Sequence, residues 1–150
     1  MMRYWCFPLL LCTAALAFRA DGDTADPTAF AGRIVVHPDN EIRVIKRSEL
    51  AAIFLGKKST WDSGKRIIPT LQSENDSLTG DFLRKVLGKS ASQYRAYWKR
   101  RLFSGGGTVP RSMPTSDGVM AFVGSHPGAI GIVDGSSKMD GDIVTVEISD

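Results

Sequence analysis

Residues 48–88 read SELAAIFLGKKSTWDSGKRIIPTLQSENDSLTGDFLRKVLG, and the apolar residues of this stretch change period twice. Glu49 to Leu55 is a helical run that Ser48 is placed to cap and Gly56 to end. Arg66-Ile67-Ile68-Pro69 is short, apolar and β-branched, as a strand is. Pro69 is expected to mark its end, because proline has no amide proton to give to a ladder. Leu78, Phe82, Val86 and Leu87 then return to helical spacing, with Gly88 as the stop. Helix, strand and helix in such close succession point to a layered α/β fold.

The same alternation extends outward in both directions. Upstream, Arg33-Ile34-Val35-Val36 reads as a buried strand. Downstream, Ser90 and Gln93 form a capping box that opens a helix with the apolar stripe Tyr94, Tyr97, Trp98 and Leu102. Gly105-Gly106-Gly107 breaks that helix. Ser116 is placed to cap a shorter one carrying Val119, Met120 and Val123, which stops before Pro127. Ala129–Val133 is a third strand. Ile143–Ile148 alternates apolar and polar residues, as a strand with one wetter face does, and is expected at a sheet edge. Strands separated by helices predict a single α/β domain over residues 33–150, a mostly parallel sheet flanked by helices. Residues 18–32, small, polar and interrupted by Pro27, read as a flexible leader.

The chain begins with a segment that does not belong to that domain. Arg3 precedes an uncharged run from Cys6 to Ala17, and Ala15-Leu16-Ala17 has the small-x-small form of a cleavage site. A bilayer-spanning helix needs roughly 20 apolar residues, and this run is shorter. Residues 1–17 therefore read as a signal peptide, which makes the protein periplasmic. Both cysteines, Cys6 and Cys12, leave with it, so the mature chain has no disulfide, thiol nucleophile or thiolate metal site. With 43% hydrophobic and 23% charged residues, the 150-residue chain is neither collagen-like nor wholly disordered. Its formal charge of +3 mixes 19 basic with 16 acidic residues, without the lopsided balance usual in nucleic-acid binders.

Few places invite chemistry. His37 and His126 are the only histidines, each followed by proline, and neither has a partner at metal-ligand spacing. No Gly-x-Ser-x-Gly elbow is present. Arg95, Lys99, Arg100 and Arg101 interleave with aromatics, yet an amphipathic helix with aromatics inward and cations outward accounts for them. No cofactor, metal or nucleic acid is expected. The turn following Pro69 is different. In parallel α/β sheets ligands gather beyond the carboxyl ends of strands, where helix amino termini supply free amides and a positive dipole end. Gln72, Ser73, Asn75, Ser77 and Thr79 are the candidate ligand-binding residues there. The competing use of the turn is capping of the helix by Asn75, Asp76 or Ser77.

Ile53-Phe54-Leu55-Gly56-Lys57, Trp61, Gly64-Lys65 and Ile68-Pro69, then Tyr97-Trp98, Phe103-Ser104-Gly105 and Pro127-Gly128-Ala129-Ile130-Gly131, occur in an order that resembles the phosphate ABC-transporter substrate-binding proteins. The resemblance spans about Arg33 to Ile148. It implies one lobe of a type 2 periplasmic-binding-protein fold, since full-length members are two-lobed clamps that close on phosphate and this chain is too short for both lobes. It also implies a noncatalytic solute-binding protein that takes inorganic phosphate or a similar oxyanion for an ABC transporter. The sequence departs from the family at the anion loop. Gln72 stands where relatives carry an arginine, which removes a bidentate charge-assisted contact. Glu74 and Asp76 add negative charge beside it. The alternative is an accessory or sensory interaction domain with a lapsed ligand site, docking on a membrane transporter or sensor or forming a homodimer.

Overall fold

In a computed structural model, the structure describes residues 29–150. The expected signal peptide and most of the expected leader lie outside the described residues. Ten elements follow in the order β1 (Arg33–Val36), β2 (Val44–Lys46), α1 (Arg47–Phe54), β3 (Ile68–Gln72), α2 (Ser77–Lys85), α3 (Ala91–Phe103), β4 (Arg111–Met113), α4 (Ser116–Ser125), β5 (Ala129–Val133) and β6 (Val144–Ser149). The strands make one six-stranded sheet in the order β2-β6-β1-β5-β3-β4. Three of its five pairings are parallel: β2 with β6, and β3 with both β4 and β5. Strand β1 runs antiparallel to β5 and β6.

Alternation along the strands builds two cores. Ile34 and Val36 face one side with Leu71, Ile130, Ile132 and Val146, where α1, α2 and α3 supply Leu50, Phe54, Phe82, Leu83, Tyr94 and Trp98. Val35, Ala129 and Val133 face the other side, which α4 covers with Val119, Met120 and Val123. Gly131 lets α4 sit close: a Cβ there would come within 2.4 Å of Val119 Cγ1. Phe30, at the end of the expected leader, packs edge-on against Phe82 at 5.4 Å, and Lys85 Nζ donates to the Ala29 carbonyl at 2.9 Å. Among the described residues, no helix is long and apolar enough to cross a membrane.

Several local expectations shift. Pro69 does not end its strand, because β3 continues to Gln72. Ile68 donates its N–H to Gly128 O on the β5 side. Successive residues alternate sides, so the Pro69 nitrogen faces β4, which pairs only from Thr70. Strand β6 is interior rather than an edge, since the three-residue β2 covers it. Ser48 does not cap α1: β2 runs straight into the helix and Lys46 holds the cap position without a side-chain bond. Thr115, not Ser116, caps α4, through its Oγ1 and the Gly118 amide. The capping box of Ser90 and Gln93 forms in full. Trp98 and Phe82 are buried as their spacing predicts, but Leu102 is 53% exposed.

Candidate functional site

Strand β3 delivers the chain to the turn Ser73–Asp76, and α2 leaves from it. The turn is closed by a bond from the Asp76 amide to the Ser73 carbonyl at 2.9 Å, and the Asn75 amide reaches Ser73 Oγ at 3.4 Å. Of the three candidate caps, Asp76 takes the role. Its Oδ1 accepts from the Leu78 amide at 2.9 Å and the Thr79 amide at 3.3 Å. These are helix-start donors of the kind that an oxyanion would otherwise engage. A carboxylate of the chain itself already holds the positive end of α2.

The predicted residues divide into two groups. Gln72 and Thr79 are buried and joined, since Thr79 Oγ1 donates to the Gln72 carbonyl at 3.2 Å. The Gln72 amide group donates to Ser116 Oγ at 2.8 Å, and the same oxygen accepts from the Asp134 amide at 3.0 Å. Gln72 thus ties the end of β3 to the start of α4 and the end of β5. Ser73, Asn75 and Ser77 remain exposed around the turn. Sequence reasoning missed Ser116 and Asp134 as members of this cluster. Their signal was topological, since Asp134 directly follows β5 and Ser116 opens the helix after β4, and both strands end beside β3.

Carboxylates dominate this end of the sheet. Glu74 and Asp76 follow β3, Asp117 follows β4 and Asp134 follows β5. Arg95 neutralises Glu74 at 3.3 Å. Hydrogen bonds from the Ser136 hydroxyl and amide hold the Asp134 carboxyl below the usual aspartate value. A depressed pKa stabilises the fold above the unfolded value of 3.8 and loses that effect as pH falls through the folded value. Ser136→Ala should therefore bring the Asp134 titration back toward 3.8, as followed by carboxyl NMR shifts; an unmoved titration would contradict the bond. The concave surface of about 310 Å³ bordered by Gly56, Lys58, Arg66 and Thr108 lies at the other end of β3, before Ile68.

No family model matches the sequence, and no curated protein matches it. Solved structures do match. An ABC-type phosphate transport receptor from Vibrio cholerae aligns with a TM-score of 0.60 at 15% identity, covering 79% of this chain and 46% of that one. PstS from Borrelia burgdorferi gives 0.60 at 13% identity, covering 79% of this chain and 47% of its own. A proposed phosphate ABC transporter substrate-binding protein with bound phosphate, from Clostridium perfringens, gives 0.57 at 18% identity, covering 79% and 44%. This chain spans less than half the length of these proteins. It has their fold: a single α/β lobe of the periplasmic-binding-protein type, with a six-stranded sheet between helices.

Proposed function

We propose that this chain is an exported, noncatalytic accessory domain, built on one lobe of the phosphate-receptor fold, whose own oxyanion seat is closed. The observation that carries this reading is the Asp76 carboxylate bonded to the Leu78 and Thr79 amides. An incoming phosphate would have to displace it and would meet its charge on approach. The engagement of Gln72 with Ser116 and the carboxylates after all three neighbouring strands support the same reading. Ser73, Asn75 and Ser77 offer neutral donors alone, each worth roughly 0.5–1.5 kcal/mol net. Three such bonds offset little of the cost of association.

The domain works in the periplasm, after loss of residues 1–17, against a membrane transporter or sensor or a second copy of itself. Intact mass of the protein recovered from the periplasm should start at Phe18; Met1 retained in a membrane pellet would defeat the export reading. The second reading is weak or partner-assisted capture of an oxyanion for an ABC transporter. It draws on the phosphate named in the Clostridium perfringens structure. Calorimetry on the purified monomer separates the two. Phosphate should bind with a Kd in the high-micromolar to millimolar range at best, on the order of −4 to −6 kcal/mol. Sub-micromolar binding would overturn the closed seat and restore solute capture. Phosphate-dependent dimerisation in light scattering would favour the partner-assisted form.

A further inference from the structure

The charge of this chain is unevenly distributed in a way its net value hides. Residues 82–116 contain eight arginines and lysines and no aspartate or glutamate. Three of these cations have ion-pair partners, Arg84 and Lys85 with Asp81 and Arg95 with Glu74. Lys89 sits over the Tyr97 ring, and Arg101 is half-buried with its guanidinium on the Gly56 carbonyl at 2.7 Å. Lys99 and Arg100 are exposed and, among the described residues, form no ion pair.

Those two cations share the last turn of α3 with Phe103, the most exposed large apolar side chain among the described residues, and with Leu102. Phe103 is 85% exposed and Leu102 is 53% exposed. Lys99 and Phe103 are four residues apart, and Arg100 and Phe103 three, so all lie on one side of the helix end. Arg101 bonded to Gly56 brings Lys57 to this end, and Arg66 reaches the following loop through Thr108 Oγ1 at 2.9 Å. The chain then turns through Gly105 and Gly107, whose positive φ values of 74° and 79° suit glycine. Beyond Ser104, the three glycines add no side chain to this turn.

We propose that this tip docks on a bilayer surface carrying anionic lipid, with Phe103 and Leu102 entering the headgroup boundary and Lys57, Arg66, Lys99 and Arg100 over the acidic headgroups. Charge complementarity selects the occupant. A protruding apolar pair ringed by cations matches a surface that is apolar beneath and negative above, and it needs no matching pocket. The proposal is independent of whether the α2 seat binds phosphate.

Cosedimentation tests it, using protein purified as its host processes it and vesicles of phosphatidylcholine with or without 30% phosphatidylglycerol (about one lipid in three being acidic, enough to set a surface potential). Binding should be at least tenfold tighter on the anionic vesicles and should weaken as salt shortens the screening length. Each cation near the surface contributes about fivefold, so the pair Lys99→Glu and Arg100→Glu should reduce binding thirtyfold or more. Phe103→Ser should cost about tenfold, and Arg100→Lys should bind like the parent. Melting temperatures should stay unchanged, because all three positions are exposed. A Phe103→Trp variant should blue-shift its emission on anionic vesicles only. An apolar leader retained at the N-terminus would bind both vesicle types equally and ignore these substitutions. Equal binding to both vesicles, no binding, or variants that bind like the parent would each overturn the proposal; an acidic protein partner would give the second of these.

Discussion

Trp98→Ala is expected to lower the unfolding free energy by about 3–5 kcal/mol, the range for truncating a buried aromatic. Trp98 is 4% exposed and joins α3 to the loop after α1, distant in sequence, and to the loop that follows α3 itself. Its ring lies edge-on to Tyr94 at 6.4 Å and to Tyr97 at 5.6 Å. A Cβ on Gly56 would meet its Cη2 at 2.7 Å, and one on Gly107 its Cζ3 at 3.4 Å, so the loop after α1 and the loop after α3 both close on it. Removing the indole opens a cavity beneath both loops and takes away edge-to-face contacts worth roughly 0.5–1.5 kcal/mol each beyond burial. Against a domain stability of about 5–15 kcal/mol, that is a large fraction. The control lies one turn on: Leu102→Ala should stay within about 0.5 kcal/mol, as exposed positions do. Denaturant melts of both variants decide the matter. A Trp98→Ala loss below about 1 kcal/mol, or a Leu102→Ala loss above 2, would mean that α3 is rotated from the orientation described.

That pair also marks how far the sequence could be read. The period of α3 identifies Tyr94 and Trp98 as inward, and the capping box fixes where the helix begins, because both depend on residues within two turns of each other. It does not reveal that the stripe stops at Trp98, since burial of the last turn depends on what other segments cover. The same division runs through the sheet. β1 and β5 carry runs of buried apolar residues and are visible in the sequence, whereas β3 is visible only at its start, because Thr70 and Gln72 are buried polar residues. β2 and β4 are three residues each and exist only through partners elsewhere in the chain, at Glu147 to Ser149 and Thr70 to Gln72. The alternation of β6 reads as an edge, and only the pairing with β2 makes it interior.

At the candidate site the chemistry of the turn was legible and its wiring was not. Asn75, Asp76 and Ser77 are all competent caps by residue type. Only the turn geometry, with the Asp76 amide on the Ser73 carbonyl, aims the Asp76 carboxylate at the Leu78 and Thr79 amides. The resemblance implies an arginine where Gln72 stands, and so a lost contact to phosphate. That Gln72 had become a bridge to Ser116 depended on β3 lying between β4 and β5, which no local pattern encodes.

If Asp76 excludes an anion by its charge as well as by its bonds, removing the charge while keeping the cap should relieve the repulsion at the seat and leave only a neutral group to displace. Asp76→Asn does this, because asparagine caps helices about as well as aspartate, so the turn and α2 should persist. The charge it removes repels a phosphate a few ångströms away by about 1–4 kcal/mol, between the limits for bulk water and a protein surface. Phosphate binding should therefore tighten by tenfold or more in calorimetry. Adding Gln72→Arg supplies a charge-assisted donor worth roughly 1.5–3 kcal/mol, while a guanidinium N–H can still reach Ser116 Oγ. The double variant should move from millimolar toward low-micromolar affinity, more than a hundredfold overall. Ser77→Ala in that background should give part of the gain back, if the exposed hydroxyl beside the cap joins the ligand's donors. Melting temperature within a few degrees of the parent for Asp76→Asn separates a change of ligand seat from damage to α2. Should the double variant fold normally and bind phosphate no better than the parent, the amino terminus of α2 is not the ligand seat of this lobe, and the closure by Asp76 has only a structural meaning.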